Sequence, residues 1–119
     1  MKNPATLLVV SDLQISKQFY IEVLGLELIE EFSHSLKMKS GNHTFIMFQG
    51  SKEAVDYEHG YNASSTIVFP VENLDIAIKK LSDNSVEFIH ESPNQNQWGH
   101  YIAFKDPSGI AVEVMEWFT

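Results

Sequence analysis

Two periodicities organise the hydrophobic residues in the first half of the chain. Between residues 12 and 24, apolar side chains recur at helical spacing, with Ser11-Asp12 as a cap before them and Gly25 as a stop after them. Short β-favouring runs surround this stretch, and Ser40-Gly41-Asn42 supplies a hairpin turn between two of them. The predicted order is a strand at 5–10, a helix at 12–24, and strands at 26–29, 35–39 and 43–49.

The same order of elements begins again near residue 66. A strand at 66–71 precedes a helix that Asn73 can cap, and Val86 to Ile89 repeats the pattern of residues 26–29. A polar loop at 91–97 then leads into a strand at 98–105. Each half therefore reads β-α-β-β-β, with a repeat of about sixty residues.

Two halves of this kind predict an α+β fold, in which each helix covers one face of a mixed, cupped sheet. The other face of each sheet has no helix to cover it, so it must meet the other half, a partner chain or a ligand. We expect a single domain over residues 1–119, with one module at about 1–50 and a second at about 66–119. The polar residues at about 51–65 are interpreted as a crossing linker, which Tyr57 and Tyr61 could anchor.

The last stretch contains a tight turn followed by a strand. Asp106-Pro107-Ser108-Gly109 is typical turn chemistry, because Pro presets φ, Asp bonds its own backbone and Gly accepts a positive φ. In the strand at 110–117, Glu113 shares a face with Ala111 and Met115. A carboxylate in the middle of such a strand has two interpretations: the face is solvated, or Glu113 faces a cavity.

Composition excludes several classes of protein. The formal net charge of −8 argues against nucleic-acid and anionic-membrane partners, which need a basic surface. The chain has no cysteine, so disulfides and thiolate chemistry are excluded. No apolar run approaches the ~20 residues of a membrane span, and no secretory signal is evident, so a cytoplasmic location is predicted.

These features together resemble the glyoxalase/bleomycin-resistance/dioxygenase superfamily, also called the vicinal oxygen chelate proteins, over essentially the whole chain. Three pieces carry the resemblance: Val10-Ser11-Asp12-Leu13 followed by Phe19-Tyr20 and Val23-Leu24-Gly25-Leu26; Trp98-Gly99 ahead of a strand; and Phe104-Lys105-Asp106-Pro107-Ser108-Gly109 with Glu113 four residues on. The resemblance implies paired βαβββ modules that form a cupped sheet around a cavity, and a homodimer.

The resemblance also implies a metal site with one ligand, commonly His or Glu, on each of four strands. Its positions fall at or near Ala5, Ile46 or Met47, Thr66 and Glu113. Only Glu113 carries a suitable side chain, and His43 is the one further donor near the second position. Because a stable site needs at least about three protein ligands, no metal and no other cofactor is predicted; Glu113 with His43 is the weak alternative.

Several residues remain as candidates for a ligand site. Trp98 follows a polar loop and precedes Gly99, which suits either a pocket rim that stacks on a planar ligand or a simple loop anchor. Glu113 could be a structural remnant, bind a cationic or hydroxylated ligand, or act as a general base. His100 is a candidate ligand contact or catalytic partner of Glu113. The predicted ligand-binding set is Glu113, Trp98, Tyr101, Phe45, Met47 and His100.

The favoured hypothesis is a homodimeric, metal-independent binding protein that sequesters a small planar or cationic compound such as an antibiotic. The first alternative is an enzyme of the lyase, isomerase or dioxygenase type. It would use a relocated metal site of His43, His100 and Glu113, or acid–base chemistry at Glu113 and His100. The second alternative is a protein-interaction or regulatory module, which predicts a filled cavity and a large apolar contact.

Overall fold

The structure is a computed structural model that describes residues 3–51 and 65–118. The chain forms two compact units, Met1–Ala54 and Val55–Thr119. The predicted linker, with Tyr57 and Tyr61, lies almost entirely outside the described residues. The treatment of both modules as one domain stays a prediction.

The N-terminal unit is a four-stranded mixed sheet with one helix. Its strands lie in the order β1-β4-β3-β2; β1 and β4 are parallel, and the other neighbours are antiparallel. The elements are β1 (Ala5–Val10), α1 (Leu13–Gln18) continued by a π-helical turn (Phe19–Val23), β2 (Glu27–Glu31), β3 (Ser35–Ser40) and β4 (His43–Gln49).

The C-terminal unit repeats this plan with one additional short strand. Its sheet has the order β5-β9-β8-β6, β7 also pairs with β8, and β5 and β9 are parallel. The elements are β5 (Ile67–Pro70), α2 (Leu74–Asp83), β6 (Glu87–Phe88), β7 (Asn94–Gln95), β8 (Gly99–Lys105) and β9 (Ala111–Trp117). The predicted α+β class and the repeated βαβββ order are confirmed, whereas the loop predicted at 91–97 contains β7. Among the described residues, no helix has both the length and the apolar character needed to cross a bilayer.

The helix predicted at 12–24 has the predicted extent but changes its geometry halfway. The Leu24 N–H donates to the Phe19 carbonyl at 3.2 Å, which is a five-residue rather than a four-residue step. The Leu26 N–H then donates to the Tyr20 carbonyl at 2.9 Å, and Gly25 takes a φ of 77° between them. A left-handed glycine thus ends the helix and releases the chain into β2.

At the start of each helix, an N–H is accepted by a side chain from the last strand of the same unit. Asp12 and Asn73 cap α1 and α2 by accepting the N–H three residues on, both at 3.0 Å. The carbonyl oxygen of the Gln49 side chain also accepts the Leu13 N–H at 2.8 Å, and Glu116 Oε1 accepts the Leu74 N–H at the same distance. Strand and helix are therefore joined in the same way in both units, which satisfies N–H groups that the helix itself leaves unpaired.

One face of each sheet packs against the helix of its unit. In the N-terminal sheet, Leu8, Leu36 and Met38 are buried on this face, and Leu7 and Val9, on either side of Leu8, are exposed. In the C-terminal sheet, Ile102, Phe104, Val112 and Val114 are buried on one face, and Ala103, Ala111 and Met115 on the other face are buried as well. Because side chains alternate between faces, the second face of each sheet is the one without a helix, and we call it the open face.

An ion pair fastens α1 to the edge strand β2. Lys17 Nζ lies 2.9 Å and 3.0 Å from the two carboxylate oxygens of Glu31, and Gln14 donates to the same carboxylate at 3.4 Å. Hydrogen bonds from Lys17 and then Gln14 lower the pKa of Glu31 below its usual 4.5.

We expect Lys17→Met to raise the pKa of Glu31, because the largest stabilising interaction of its charged form is removed. The folded-state pKa of Glu31 is depressed, so the contribution of this pair to stability is present above pH 4.5 and is lost as pH falls through the lowered value. The check is an NMR titration of the Glu31 carboxyl carbon, with Lys79→Met in α2 as the control. An unchanged Glu31 titration would contradict the ion pair.

Glu116→Ala should destabilise the protein by about 1 kcal/mol, because the Leu74 N–H at the start of α2 loses its acceptor. Glu116→Gln keeps an acceptor oxygen and should retain most of that stability. Urea unfolding of the three proteins measures the difference. Equal losses in both variants would show that the charge of Glu116, and not its hydrogen bond, is the stabilising feature.

Candidate ligand-binding site

Glu113 lies near the middle of β9, the strand between β5 and β8. It is directly opposite Val68 on one side and Ala103 on the other. Its strand neighbours Val112 and Val114 are buried on the helix-covered face. The predicted parity of this strand is therefore confirmed: the Glu113 side chain belongs to the open face, with Met115 two positions on.

A cavity of about 420 Å³ adjoins the Glu113 side chain. All of its lining residues belong to the C-terminal unit: Val68, Asn96, Trp98, Glu113, Met115 and Trp117. Three of these follow one another at alternate positions of β9, so a single strand supplies the carboxylate, a thioether and an indole. The volume falls in the range of about 300–1,000 Å³ that is usual for small-molecule sites.

The loop between β7 and β8 holds Trp98 at this cavity. The side-chain oxygen of Asn96 accepts the N–H groups of Trp98 at 2.8 Å and Gly99 at 3.1 Å. The Asn96 N–H donates to the Gly99 carbonyl at 3.0 Å, and the Trp98 carbonyl accepts the Phe118 N–H at 2.8 Å. The backbone on both sides of Trp98 is therefore fixed, although its side chain is 63% exposed.

Gly99 allows this loop to join the sheet closely. A Cβ placed on Gly99 would collide with the carbonyl oxygen of Glu116 and would lie 3.0 Å from the Cα of Trp117. Only a residue without a side chain lets β8 approach β9 at this point. The Trp98-Gly99 pair noted in the sequence therefore combines an aromatic at the cavity with the close backbone contact that positions it.

The cavity lining combines one acidic group with aromatic surface. Glu113 is the one ionisable side chain among the six lining residues. Trp117 is half exposed, and Trp98 is also exposed. Lys105 lies on the same sheet face, but it is paired with Glu87 at 3.8 Å at the other end of β8. A carboxylate and two indole side chains therefore share one lining, and these are side-chain types that interact with organic cations.

Phe45 and Met47 do not line this cavity, contrary to the prediction. Both lie in the core of the N-terminal unit, where Phe45 is 3% and Met47 0% exposed. They share the helix-covered face of β4, because they are paired with the buried residues Met38 and Leu36 of β3. Ile46 is the residue between them, and it lies on the open face.

His100 and Tyr101 separate onto opposite faces of β8. His100 is opposite Glu116, whereas Tyr101 is opposite Met115 and so shares the open face of Glu113. The His100 ring packs edge-on against Phe118 at 5.1 Å. The proposed convergence of Glu113 with His100, with or without His43, is therefore wrong. Tyr101 packs edge-on against His90 at 5.9 Å and is not one of the lining residues.

Among the donors that the structure describes, none of the groupings fits the metal site that the family resemblance implies. In residues 3–51 and 65–118, no group of three or more His, Cys, Asp or Glu side chains is placed to hold a metal ion. His43, the weak alternative partner of Glu113, belongs to the N-terminal unit, and its Nε2 lies 2.7 Å from the Thr6 hydroxyl.

Four lining residues were missed from the sequence: Val68, Asn96, Met115 and Trp117. Met115 and Trp117 carried a usable signal, since they lie two and four positions after Glu113 in the same strand. Val68 required the parallel β5–β9 register, which sequence periodicity does not give. Asn96 required the pairing of β7, a strand of two residues in a segment interpreted as loop.

Comparison with known proteins agrees with the fold. The model of the Glyoxalase/Bleomycin resistance protein/Dioxygenase superfamily matches residues 4–114. The uncharacterized protein YetH of Bacillus subtilis (strain 168) is 30% identical over 112 residues, which cover 84% of this chain and 85% of YetH.

Solved structures of the same fold include enzymes. Fosfomycin resistance protein FosX from Listeria monocytogenes superposes with a TM-score of 0.80 at 16% identity, covering 99% of this chain and 94% of FosX. Lactoylglutathione lyase from Agrobacterium tumefaciens superposes with a TM-score of 0.74 at 18% identity, covering 97% of this chain and 92% of the lyase.

Two βαβββ units, each with a mixed sheet and a helix on one face, define an α+β fold, and the cavity beside Glu113 belongs to the C-terminal unit. The chain belongs to the Glyoxalase/Bleomycin resistance protein/Dioxygenase superfamily. At the identities found, the solved structures support the shared fold, and the activity has to be argued from the site.

Asn96→Ala should loosen the Trp98 loop, because the N–H groups of Trp98 and Gly99 lose their shared acceptor. We expect a loss of about 1 kcal/mol in local stability and faster amide hydrogen exchange at both positions. Asn96→Asp retains the acceptor oxygen and should preserve protection. Unchanged exchange in the Ala variant would show that the β7–β8 pairing alone holds the loop.

Proposed function

We propose that this protein is a metal-independent small-molecule binding protein that holds a planar or cationic organic compound at the Glu113 cavity. The observation that carries the proposal is the cavity lining: one carboxylate beside two indole side chains in a volume of about 420 Å³. The mechanism is reversible binding, and it involves no bond-breaking step.

Charge and aromatic surface support a cationic ligand. A carboxylate attracts a positive charge by Coulomb interaction, and an indole face attracts it through the ring quadrupole. The formal net charge of −8 adds a field that favours cations around the whole chain. Met115 and Val68 supply the apolar surface that an organic ligand buries on entry.

Sequestration accounts for the site better than acid–base catalysis does. General acid–base chemistry needs two groups that reach one reacting atom. Here the candidate pair is divided, because Glu113 and His100 lie on opposite faces of the sheet. An interaction module without a ligand predicts a filled cavity, so the open volume beside Glu113 counts against it.

The homodimer and the cytoplasmic location are further parts of this proposal. The open face of the N-terminal sheet exposes Leu7, Val9 and Phe48, which is apolar surface that a second copy could bury. Light scattering on the purified protein tests the dimer.

The binding proposal predicts that N-methylacridinium, a planar cation, binds at this cavity and quenches tryptophan fluorescence. Glu113→Gln should weaken its affinity about five- to tenfold, because a nearby countercharge is replaced by a neutral group of the same shape. Glu91→Gln removes the same charge from an exposed position outside the cavity lining and is the matched control. Equal affinities for the Glu113 and Glu91 variants would contradict the site.

Metal independence is a separate prediction. We expect Zn²⁺, Ni²⁺, Mn²⁺ and Fe²⁺ to leave both the thermal unfolding midpoint and the N-methylacridinium affinity unchanged, because Glu113 is the sole carboxylate or imidazole donor in the cavity lining. The measurement uses protein purified without a histidine tag. A stoichiometric, tightly bound metal that raises the midpoint would overturn the proposal and favour an enzyme.

A further inference from the structure

The strand that pairs with β8 on the side away from β9 is interrupted. The last pair of β6 is opposite Phe104 and the first pair of β7 is opposite Tyr101, so β8 advances three positions while the other segment advances six. The Ile89 N–H still donates to the Ala103 carbonyl at 2.9 Å, and the chain then leaves the sheet. Residues 90–93 therefore form a loop between two short strands that share one partner.

The His90 side chain occupies this gap in the ladder. In a regular antiparallel pair, Ile89 would both donate to Ala103 and accept from it. Here the Ala103 N–H donates to His90 Nε2 at 3.0 Å, and His90 Nδ1 lies 2.7 Å from the main-chain carbonyl oxygen of Ser92. One imidazole ring therefore joins β8 to the loop that leads into β7.

Both partners of the His90 ring are main-chain groups, and together they fix its protonation. An amide N–H only donates, so Nε2 must accept and carries no proton; a carbonyl oxygen only accepts, so Nδ1 must carry one. His90 is thus held as the neutral Nδ1–H tautomer. A second proton, on Nε2, would place one N–H against the N–H of Ala103, and that hydrogen bond would be lost.

Of the ionisable groups around this ring, imidazole is the type that ordinarily changes its charge near neutral pH, whereas carboxylates, phenols and ammonium groups do not. Tyr101 packs edge-on against the ring at 5.9 Å. The ionisable residues of the neighbouring segments are Glu87 and Glu91 on the same segment, Tyr101 and Lys105 on β8, Glu113 on β9, and, beyond the helix-covered face, Asp75, Lys79, Lys80 and Asp83 of α2.

The loop that His90 holds leads directly to the cavity. After it comes β7, and then Asn96, whose side-chain oxygen accepts the Trp98 N–H at 2.8 Å. With two residues, β7 forms few ladder hydrogen bonds, so it holds its own position weakly. The anchoring of residues 90–93 on β8 therefore contributes to where Asn96 and Trp98 lie at the cavity.

We propose that His90 is a positioning residue of the ligand site, whose neutral imidazole anchors the loop between β6 and β7 and whose protonation releases that loop and weakens ligand binding. The proposal rests on the proposed binding function and adds its regulation by pH. The acceptor for the Ala103 N–H is present when His90 is neutral and is lost as pH falls, so affinity is highest at neutral pH and decreases on acidification.

Nuclear magnetic resonance tests the anchoring without any ligand. At about pH 7.5, the imidazole nitrogen shifts of His90 should show a protonated Nδ1 and an unprotonated Nε2. Acidification to about pH 5.5 should lower the exchange protection factor of the Ala103 amide by about threefold or more. The Ile102 amide, on the side of β8 that faces β9, is the internal control and should keep its protection. A protonated Nε2 at the higher pH, or unchanged protection of Ala103, would overturn the proposal.

The effect on binding is measured with N-methylacridinium, whose charge does not depend on pH. We expect its affinity to fall by about threefold or more over the same pH range, because the fraction of protein with an anchored loop decreases. His90→Gln should abolish this fall and keep the affinity at neutral pH, because its amide oxygen offers the Ala103 N–H an acceptor that does not titrate. His100→Gln removes an exposed imidazole on the opposite face and should retain the fall.

The outcomes distinguish this positioning role from the binding function itself. An equal loss of affinity on acidification in the unaltered protein and in His90→Gln would overturn the role of His90 and leave the binding function standing. If N-methylacridinium fails to bind at either pH, the binding function is wrong and the regulation of binding falls with it. The resonance experiment on the unaltered protein then still decides whether His90 anchors the loop, and it does so without any variant that has to fold.

Discussion

In each sheet, the helix packed on one side decides which alternate side chains of the strands point into the core. Once α1 and α2 cover one face, each strand must direct alternate side chains into that contact, and the remaining side chains form the open face. Glu113 lies on the open face because Val112 and Val114 are needed in the core. The last strand of each unit also holds the helix, because Gln49 and Glu116 accept an N–H at the start of α1 and α2. The packing of the helix on one sheet face therefore also determines which side chains lie on the opposite face.

This constraint explains what could be predicted from the sequence. Residues 12–24 and the helix after Asn73 were recognisable because apolar spacing and caps agree there, and the Asp106 turn because its residues have specific backbone roles. The Asp106 carboxylate accepts the N–H groups of Ser108 and Ile110, both at 2.9 Å, as such a turn requires. In β9 the two valines on either side of Glu113 are β-branched core residues, and the face predicted for Glu113 from their position is the one observed.

The site residues that were predicted wrongly or missed are also explained by strand alternation and strand order. In β4, residues 44–48 are apolar or β-branched on both faces, so sequence alone does not show whether Ile46 or its neighbours Phe45 and Met47 are covered. The strand order within each sheet also places residues together that are far apart in sequence, as with Val68 and Glu113. The central carboxylate and one rim aromatic were therefore predicted from local pattern. Met115 and Trp117 follow from the same alternation of β9, whereas Val68 and Asn96 depend on strand pairing.

Gly99 has a consequence for how this site can diversify. The backbone contact between Gly99 and Glu116 fixes where the loop leaves the sheet, and Asn96 fixes its turn. The side chain between them, Trp98, is 63% exposed and takes no part in either constraint. Position 98 can therefore accept replacement with little disturbance to the fold, whereas position 99 cannot. A substitution at position 98 can therefore change the rim of the cavity without moving the strand that carries it.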